Sequence, residues 1–492
     1  MLVHKYKTVT IGCAMLVLMS VALIYSPQHN RTNRVVHTIV RTDAGFEPNK
    51  LTIALGDEVR FFNDSSGYFW PASDLHPQHA VYPAFDSRQG LPSGSSWSFT
   101  FDQAGDWRFH DHLDAVHDGT IRVYAEGVGP NACAEDLANP TCWNLLIHKT
   151  LLEEGIDATI SMVAQLQSST PAFTLVCHEY MHDIGLQAYR VYGKNVPLSM
   201  TLRLCNAGFF HGYMEGYFSG TYDIVGAIDF CTRVGRELGN SFSLAEGQCY
   251  HGIGHGITER YISEMPTAWD DMYTLSRKPL ATCRIVGRTD DERHRCFSAV
   301  FNVLRAWAST AQRGRGYTDF AKNLFKTCAQ EGRSAQKSAC YWEFAVAMQF
   351  GTPISTVARA PDLHAFVSSV DYDEYAPWIA RSWATLLGRT GVVTRNPKDL
   401  IRVCRTMEDK LQLACVSGLV EGVLFAERAD DVGTRALLFC GLPDVYESER
   451  MSCYKVIQGD AASIRSAVEQ KSVCTRIPEK YRDQQWCAFS SG

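Results

Sequence analysis

The sequence predicts a multidomain protein: an N-terminal membrane anchor, an all-β sandwich, then an all-α region of disulfide-stapled helical repeats, α-solenoid-like in build. Three observations predict it. An apolar run near the start follows cationic residues, six short alternating segments fill the stretch up to residue 126, and beyond residue 133 cysteines recur in evenly spaced pairs. At 492 residues the chain is too long for one core, since domains commonly run to roughly 100 to 200 residues. Net charge is -6 and no Lys/Arg run stands out, so there is no basic field to gather phosphates and nucleic acid is not expected as a partner.

The anchor comes first. Lys5 and Lys7 precede an uncharged apolar segment, Val9 to Tyr25 (VTIGCAMLVLMSVALIY), which is at the short limit for a bilayer span. No clear small-residue cleavage site follows, so the segment predicts an uncleaved signal anchor with its positive end in the cytoplasm. Residues 1–36 form anchor and stalk, and the remainder faces the periplasm or cell exterior. Cysteine usage points the same way: of 17 cysteines Cys13 lies in the anchor and the other 16, an even number, lie beyond residue 130. In an oxidising compartment such cysteines form structural disulfides.

The segments VVHTIV, KLTIAL, EVRFF, SWSFTF, DWRFH and TIRVY, separated by GDE, NDSSG, PSGS and DQAGD turns, predict a β-sandwich over residues 37–126. Glu126 to Asn131 (EGVGPN) is a Gly/Pro linker. Residues 133–492 form the Cys-rich helical region, with a histidine-rich part at 177–260. There Cys283/Cys296, Cys328/Cys340, Cys404/Cys415, Cys440/Cys453 and Cys474/Cys487 lie 13, 12, 11, 13 and 13 positions apart, and Cys231/Cys249 lie 18 apart. The second cysteine of a pair usually opens an apolar helix, so each pair is expected to staple one two-helix unit.

Three stretches carry a resemblance to a known family: GFEPNKLTIALGDEVRFFN (45–63), LPSGSSWSFTFDQAGDWRFH (91–110) and HDHLDAVHDGTIRVY (110–124). Together they resemble cupredoxins, the copper-binding β-sandwiches related to plastocyanin. The resemblance implies a ligand loop between the last two strands and one further histidine from an earlier loop. His110 stands where that family has Cys, His112 near its His and His117 in the place of its Met; the earlier loop, WPASDLHPQHAVYP, offers His79, with His76 beside it constrained by Pro77. The implied copper ligands are therefore His79, His110, His112 and His117. With both sulfurs replaced by imidazole the set suits copper(II), zinc or nickel, and metal handling is expected in place of blue-copper electron transfer.

A second constellation lies in the helical region. His178/His182, His211/Glu215 and His251/His255 each stand at i and i+4, the spacing that puts two side chains on one helix face. They form a candidate second site for zinc or another divalent metal. The segment HEYMH also matches the zinc-hydrolase signature, with Glu179 as general base. A metal-dependent enzyme, either a copper oxidoreductase or this zinc hydrolase, is thus the alternative to a metal-binding protein. A third alternative is a non-catalytic scaffold that docks a protein partner on the repeats. No phosphate-binding loop, dinucleotide fingerprint or nucleophile elbow occurs.

Overall fold

Alternation of apolar and polar residues builds the first unit. In a computed structural model, residues 34–79, 81–124, 142–174, 176–239, 245–265, 271–311, 327–331, 334–347, 376–394, 396–427, 433–464 and 467–487 are described. All six alternating segments are strands: β1 (Val36–Thr42), β3 (Lys50–Ala54), β4 (Glu58–Asn63), β6 (Ser96–Thr100), β7 (Gly105–Asp111) and β8 (Asp114–Tyr124). Two three-residue strands, β2 (Gly45–Glu47) and β5 (Pro71–Ser73), are too short to show a period in sequence. The sheets have the orders β2-β1-β4-β6 and β3-β8-β7-β5. Pairing is parallel between β1 and β4 and between β3 and β8, and antiparallel elsewhere. Inward residues such as Ile39, Val59, Phe61, Phe69, Phe85, Phe109 and Ile121 are fully buried between the sheets.

The helical part begins with α1 (Trp143–Glu153) and α2 (Ile156–Ser169) and continues through α3 (Cys177–Tyr192), α4 (Leu204–Gly220), α5 (Ile224–Leu238), α6 (Ala245–Glu264), α7 (Met272–Val286) and α8 (Asp290–Ala311). Beyond these come α9 (Ser334–Ala347), α10 (Ala376–Thr394), α11 (Pro397–Arg405), α12 (Asp409–Phe425), α13 (Thr434–Cys440) and α14 (Glu447–Ile464). In the row α3, α4, α6, α8, α9, α10, α12, α14, each helix packs on the next. The disulfides Cys231–Cys249, Cys283–Cys296, Cys328–Cys340, Cys404–Cys415, Cys440–Cys453 and Cys474–Cys487 join the cysteines that the spacing pairs. A further bond, Cys177–Cys205, spans 28 positions and so falls outside that spacing.

Glycines set the distance between the histidine-bearing helices. A Cβ on Gly212 would lie 1.8 Å from the carbonyl oxygen of His182, and one on Gly252 would lie 2.3 Å from that of Phe210. Only a residue without a side chain lets α3, α4 and α6 approach so closely. That contact offsets the roughly 1 kcal/mol a glycine costs inside a helix.

The end of the sandwich that carries the histidines is covered by the helices. Trp70, Ala72, Leu75 and Leu113 belong to the same continuous core as α1 to α14. Trp70 meets Trp307 edge to face at 5.1 Å. Around this seam Asp118 accepts from Arg108 and Arg190 at 2.7 and 2.6 Å, and Asn144 donates to Asp74 at 3.1 Å. No described helix is long and apolar enough to cross a membrane; the expected anchor, Val9 to Tyr25, lies outside the described residues.

Candidate metal centre at the domain seam

Four histidines meet where the sandwich abuts the helices. His76 and His79 come from the loop after β5, His110 from the end of β7 and His112 from the turn that follows. All four are buried, and one nitrogen each of His76, His110 and His112 lies within 4.8 Å of the others. His79 Nε2 is 2.9 Å from His112 Nδ1, and His76 Nδ1 is 3.2 Å from His110 Nε2. Carboxylates stand behind two of the rings: Asp86 is 2.9 Å from His79 Nδ1, and Asp74 is 3.0 Å from His110 Nδ1. A carboxylate accepting the Nδ1 proton fixes the tautomer and leaves Nε2 with its lone pair turned to the partner ring.

Burial, above all, depresses the basicity of two of these rings. His79 is pushed down to about 4, with Asp86 opposing, and His112 lies well below the usual histidine value. These rings are neutral at pH 7, the form that ligates a metal. His76 is the exception: burial works against its charge, but Glu259, 3.5 Å away, raises it.

His117 is not brought into this group. The ligand loop implied by the resemblance is only a tight turn here, because Asp111 already pairs with Asp114 and the chain re-enters a strand. His117 consequently sits in β8 with Nδ1 at 3.0 Å from Asp114 and 3.1 Å from Arg41, and it joins no metal-competent cluster among the described residues. His76 stands with His110 and His112 instead.

The six residues of the second constellation are brought together. One ring contact follows another: His178–His182 at 4.9 Å, His182–His211 at 4.8 Å, His211–His251 at 4.6 Å and His211–His255 at 4.8 Å between centroids. Glu215 Oε1 lies 2.9 Å from His255 Nδ1 and 3.4 Å from His182 Nδ1. Burial would raise this carboxyl, but His182 and His255 hold it well below the ordinary range. Glu179 belongs to none of the metal-competent groups among the described residues; its Oε2 faces Arg389 at 3.6 Å. The general base of the zinc-hydrolase alternative is thus engaged by a guanidinium.

A cavity of about 330 Å³ runs along the seam. Its walls include His76 and His112 from the sandwich, Glu215 and Glu259 from the helices, and His117. Both clusters therefore border one polar space. Asp74, Asp86, His148 and Asp183 escape sequence reasoning, because the sequence does not mark which polar side chains folding will bury. Glu259 alone had a signal, since it continues the i, i+4 series of His251 and His255. Asp74, His148 and Asp183 also form a compact trio, but His148 Nε2 is already bonded to Asp183 at 2.5 Å and Asp74 to Arg108 at 3.0 Å.

Asp74 connects the site to the docking of the two units, since it accepts from His110, Arg108 and Asn144 at once. Burial opposes its charge, but Arg108 and His110 prevail and keep it ionised. Asp74→Ala is expected to cost on the order of 3 kcal/mol of stability and to weaken metal binding at His110 by roughly 10- to 100-fold. Chemical denaturation and a metal titration of the same variant check this; an unchanged affinity would show that Asp74 does not orient His110.

The solved structures that match this chain include a cupredoxin and a nitrite reductase. One is a purple cupredoxin from Nitrosopumilus maritimus, 19% identical, with a TM-score of 0.17, covering 18% of this chain and 99% of that one. Another is the Cu-containing nitrite reductase (NirK) from Thermus scotoductus SA-01, 20% identical, with a TM-score of 0.16, covering 19% of this chain and 23% of that one. No protein-family model matches the chain, and no curated protein matches it either.

Proposed function

We propose that this chain is a metal-handling protein whose cupredoxin-like sandwich holds copper at the seam through His76, His79, His110 and His112. The observation that carries the reading is His112 Nε2, a buried imidazole nitrogen with no hydrogen-bond partner, in a cluster with His76 and His110. Leaving such a group unsatisfied costs roughly 1–3 kcal/mol, a penalty that a ligated metal removes. The donor set fits copper(II): nitrogen throughout, with Asp74 and Asp86 behind two of the rings. Bound there, copper would supply Lewis acidity and one-electron chemistry; without thiolate or thioether, the set favours holding the ion over rapid electron transfer. The chain's own residues orient the imidazoles and exclude bulk water, Trp70 and Trp307 packing on His112 at 4.6 and 5.6 Å.

The reading extends to a protein anchored by Val9 to Tyr25 and facing the periplasm or cell exterior. The cationic flank and apolar run support it, as do the disulfides, which persist in oxidising compartments. A copper-dependent oxidoreductase is the second reading, favoured by the cavity beside His76 and His112, which has room for a small substrate.

Elemental analysis of the purified full-length chain tests the proposal. His110→Ala/His112→Ala is expected to lose about one copper per chain, and His117→Ala to lose none. Equal copper in wild type and the double variant, or no copper in either, overturns it.

A further inference from the structure

The helical cluster contains a feature that hydrogen-bonded core packing does not account for. His255 is 3% exposed, and its Nε2 has no hydrogen-bond partner. Its other nitrogen, Nδ1, faces Glu215 Oε1 at 2.9 Å, so the proton resides there and the unpartnered Nε2 carries a lone pair. His211, His251 and His255 each offer a nitrogen, and these lie within 4.8 Å of one another. Burial, then neighbouring imidazoles, holds His211 and His251 well below their usual basicity, so they too present neutral rings.

We propose that His211, His251 and His255 form a second metal site, for a divalent first-row cation of the nitrogen-preferring class such as zinc, copper(II) or nickel. It is independent of the sandwich site. The three residues come from two helices: His251 and His255 from successive turns of α6, His211 from the facing turn of α4. The backbone contact at Gly252 brings those turns together. An ion ~2.1 Å from three nitrogens needs them ~3.4 Å apart, so side-chain rotations of about 1 Å close the site. Magnesium and calcium are excluded by the donors, which are imidazoles and not oxygens.

Glu215 is a positioning residue in this arrangement. It stands behind His255 as Asp86 stands behind His79 and Asp74 behind His110, a carboxylate setting the tautomer of a ligating ring. Two arginines, Arg295 and Arg305, act on His251 and His255 with the opposite sign. Arg295 is compensated by Asp291 at 2.9 Å, and Arg305 by Glu343. Glu215 and those carboxylates set negative charge against both arginines. Were the cluster only packing, apolar side chains of the same volume would fill the space without burying an unsatisfied nitrogen.

Cobalt(II) chloride titrated into the metal-stripped full-length chain is the test, read from the ligand-field absorption and the bound stoichiometry. His251→Ala/His255→Ala is expected to bind one cobalt fewer than wild type, while His110→Ala/His112→Ala keeps that ion and loses the other. Glu215→Gln is expected to keep the stoichiometry and weaken this ion roughly 10- to 100-fold, with altered absorption bands. Unchanged stoichiometry in folded His251→Ala/His255→Ala overturns the site. Should that variant fail to fold, an anomalous difference map of the cobalt-loaded wild-type chain decides: a peak within ~2.3 Å of His255 Nε2 supports the site and its absence overturns it. Loss confined to the helical variant would leave this site standing and the sandwich reading refuted.

Discussion

Gly212→Ala is expected to destabilise the helical region by about 3 kcal/mol or more and to cut metal binding by the helical histidines. The added Cβ would fall 1.8 Å from His182 O and 2.5 Å from its carbonyl carbon, both backbone atoms of α3. Overpacking a core typically costs ~1–3 kcal/mol when side chains can rotate away, and here nothing can rotate away. Relief requires α3 and α4 to separate, and those helices carry His182 Nε2 and His211 Nδ1 at 2.9 Å. Gly220→Ala, in the same helix with nothing within 4 Å of its Cβ, is the control and should be within ±0.5 kcal/mol of wild type. Denaturant midpoints and bound metal are measured for both. If Gly212→Ala behaves as Gly220→Ala does, helix proximity does not set the site's geometry.

The same glycines show how much of this molecule was legible in its sequence. Gly208, Gly212 and Gly252 in helices already implied close approach, because nothing else compensates their cost. Strand alternation located six strands and missed β2 and β5, whose three residues show no period. Even spacing located six cysteine pairs and missed Cys177–Cys205, whose separation of 28 breaks the pattern. Within the site, the i, i+4 pairs on α3, α4 and α6 were visible because helix geometry alone puts both members on one face. At the seam, His76 stands in a metal-competent group with His110 and His112, and His117 stands in none among the described residues. His117 was placed by a loop length taken from the resemblance, whereas the actual turn at His112 and Leu113 is set by β7–β8 pairing. Pro77 restricts the backbone of His76 but says nothing about where its ring points once the loop has folded. Asp74 meets Asn144, and Glu259 meets His76, only through the docking of sandwich on helices, which no local pattern encodes.

Full reduction of the disulfides is expected to unfold the helical region, seen as loss of most of the 222 nm ellipticity, and to release metal from both clusters. Among the described residues, bonds close separations of 28, 18, 13, 12, 11, 13 and 13 positions. A crosslink over about 15 residues contributes ~3 kcal/mol through the unfolded chain's lost entropy. Seven of them together exceed the ~5–15 kcal/mol by which folded domains are commonly stable. Most of the bonds tie one helix to its successor, so their loss frees each hairpin separately and spreads along the row. The sandwich has no cysteine and keeps its own aromatic core, but its histidine end loses Trp307 and Asn144 from across the seam. Its β signal should therefore outlast its metal. Retained helicity in excess reductant would mean that helix packing at the glycine contacts suffices for the row, and that the disulfides guard against unfolding without being needed for the fold.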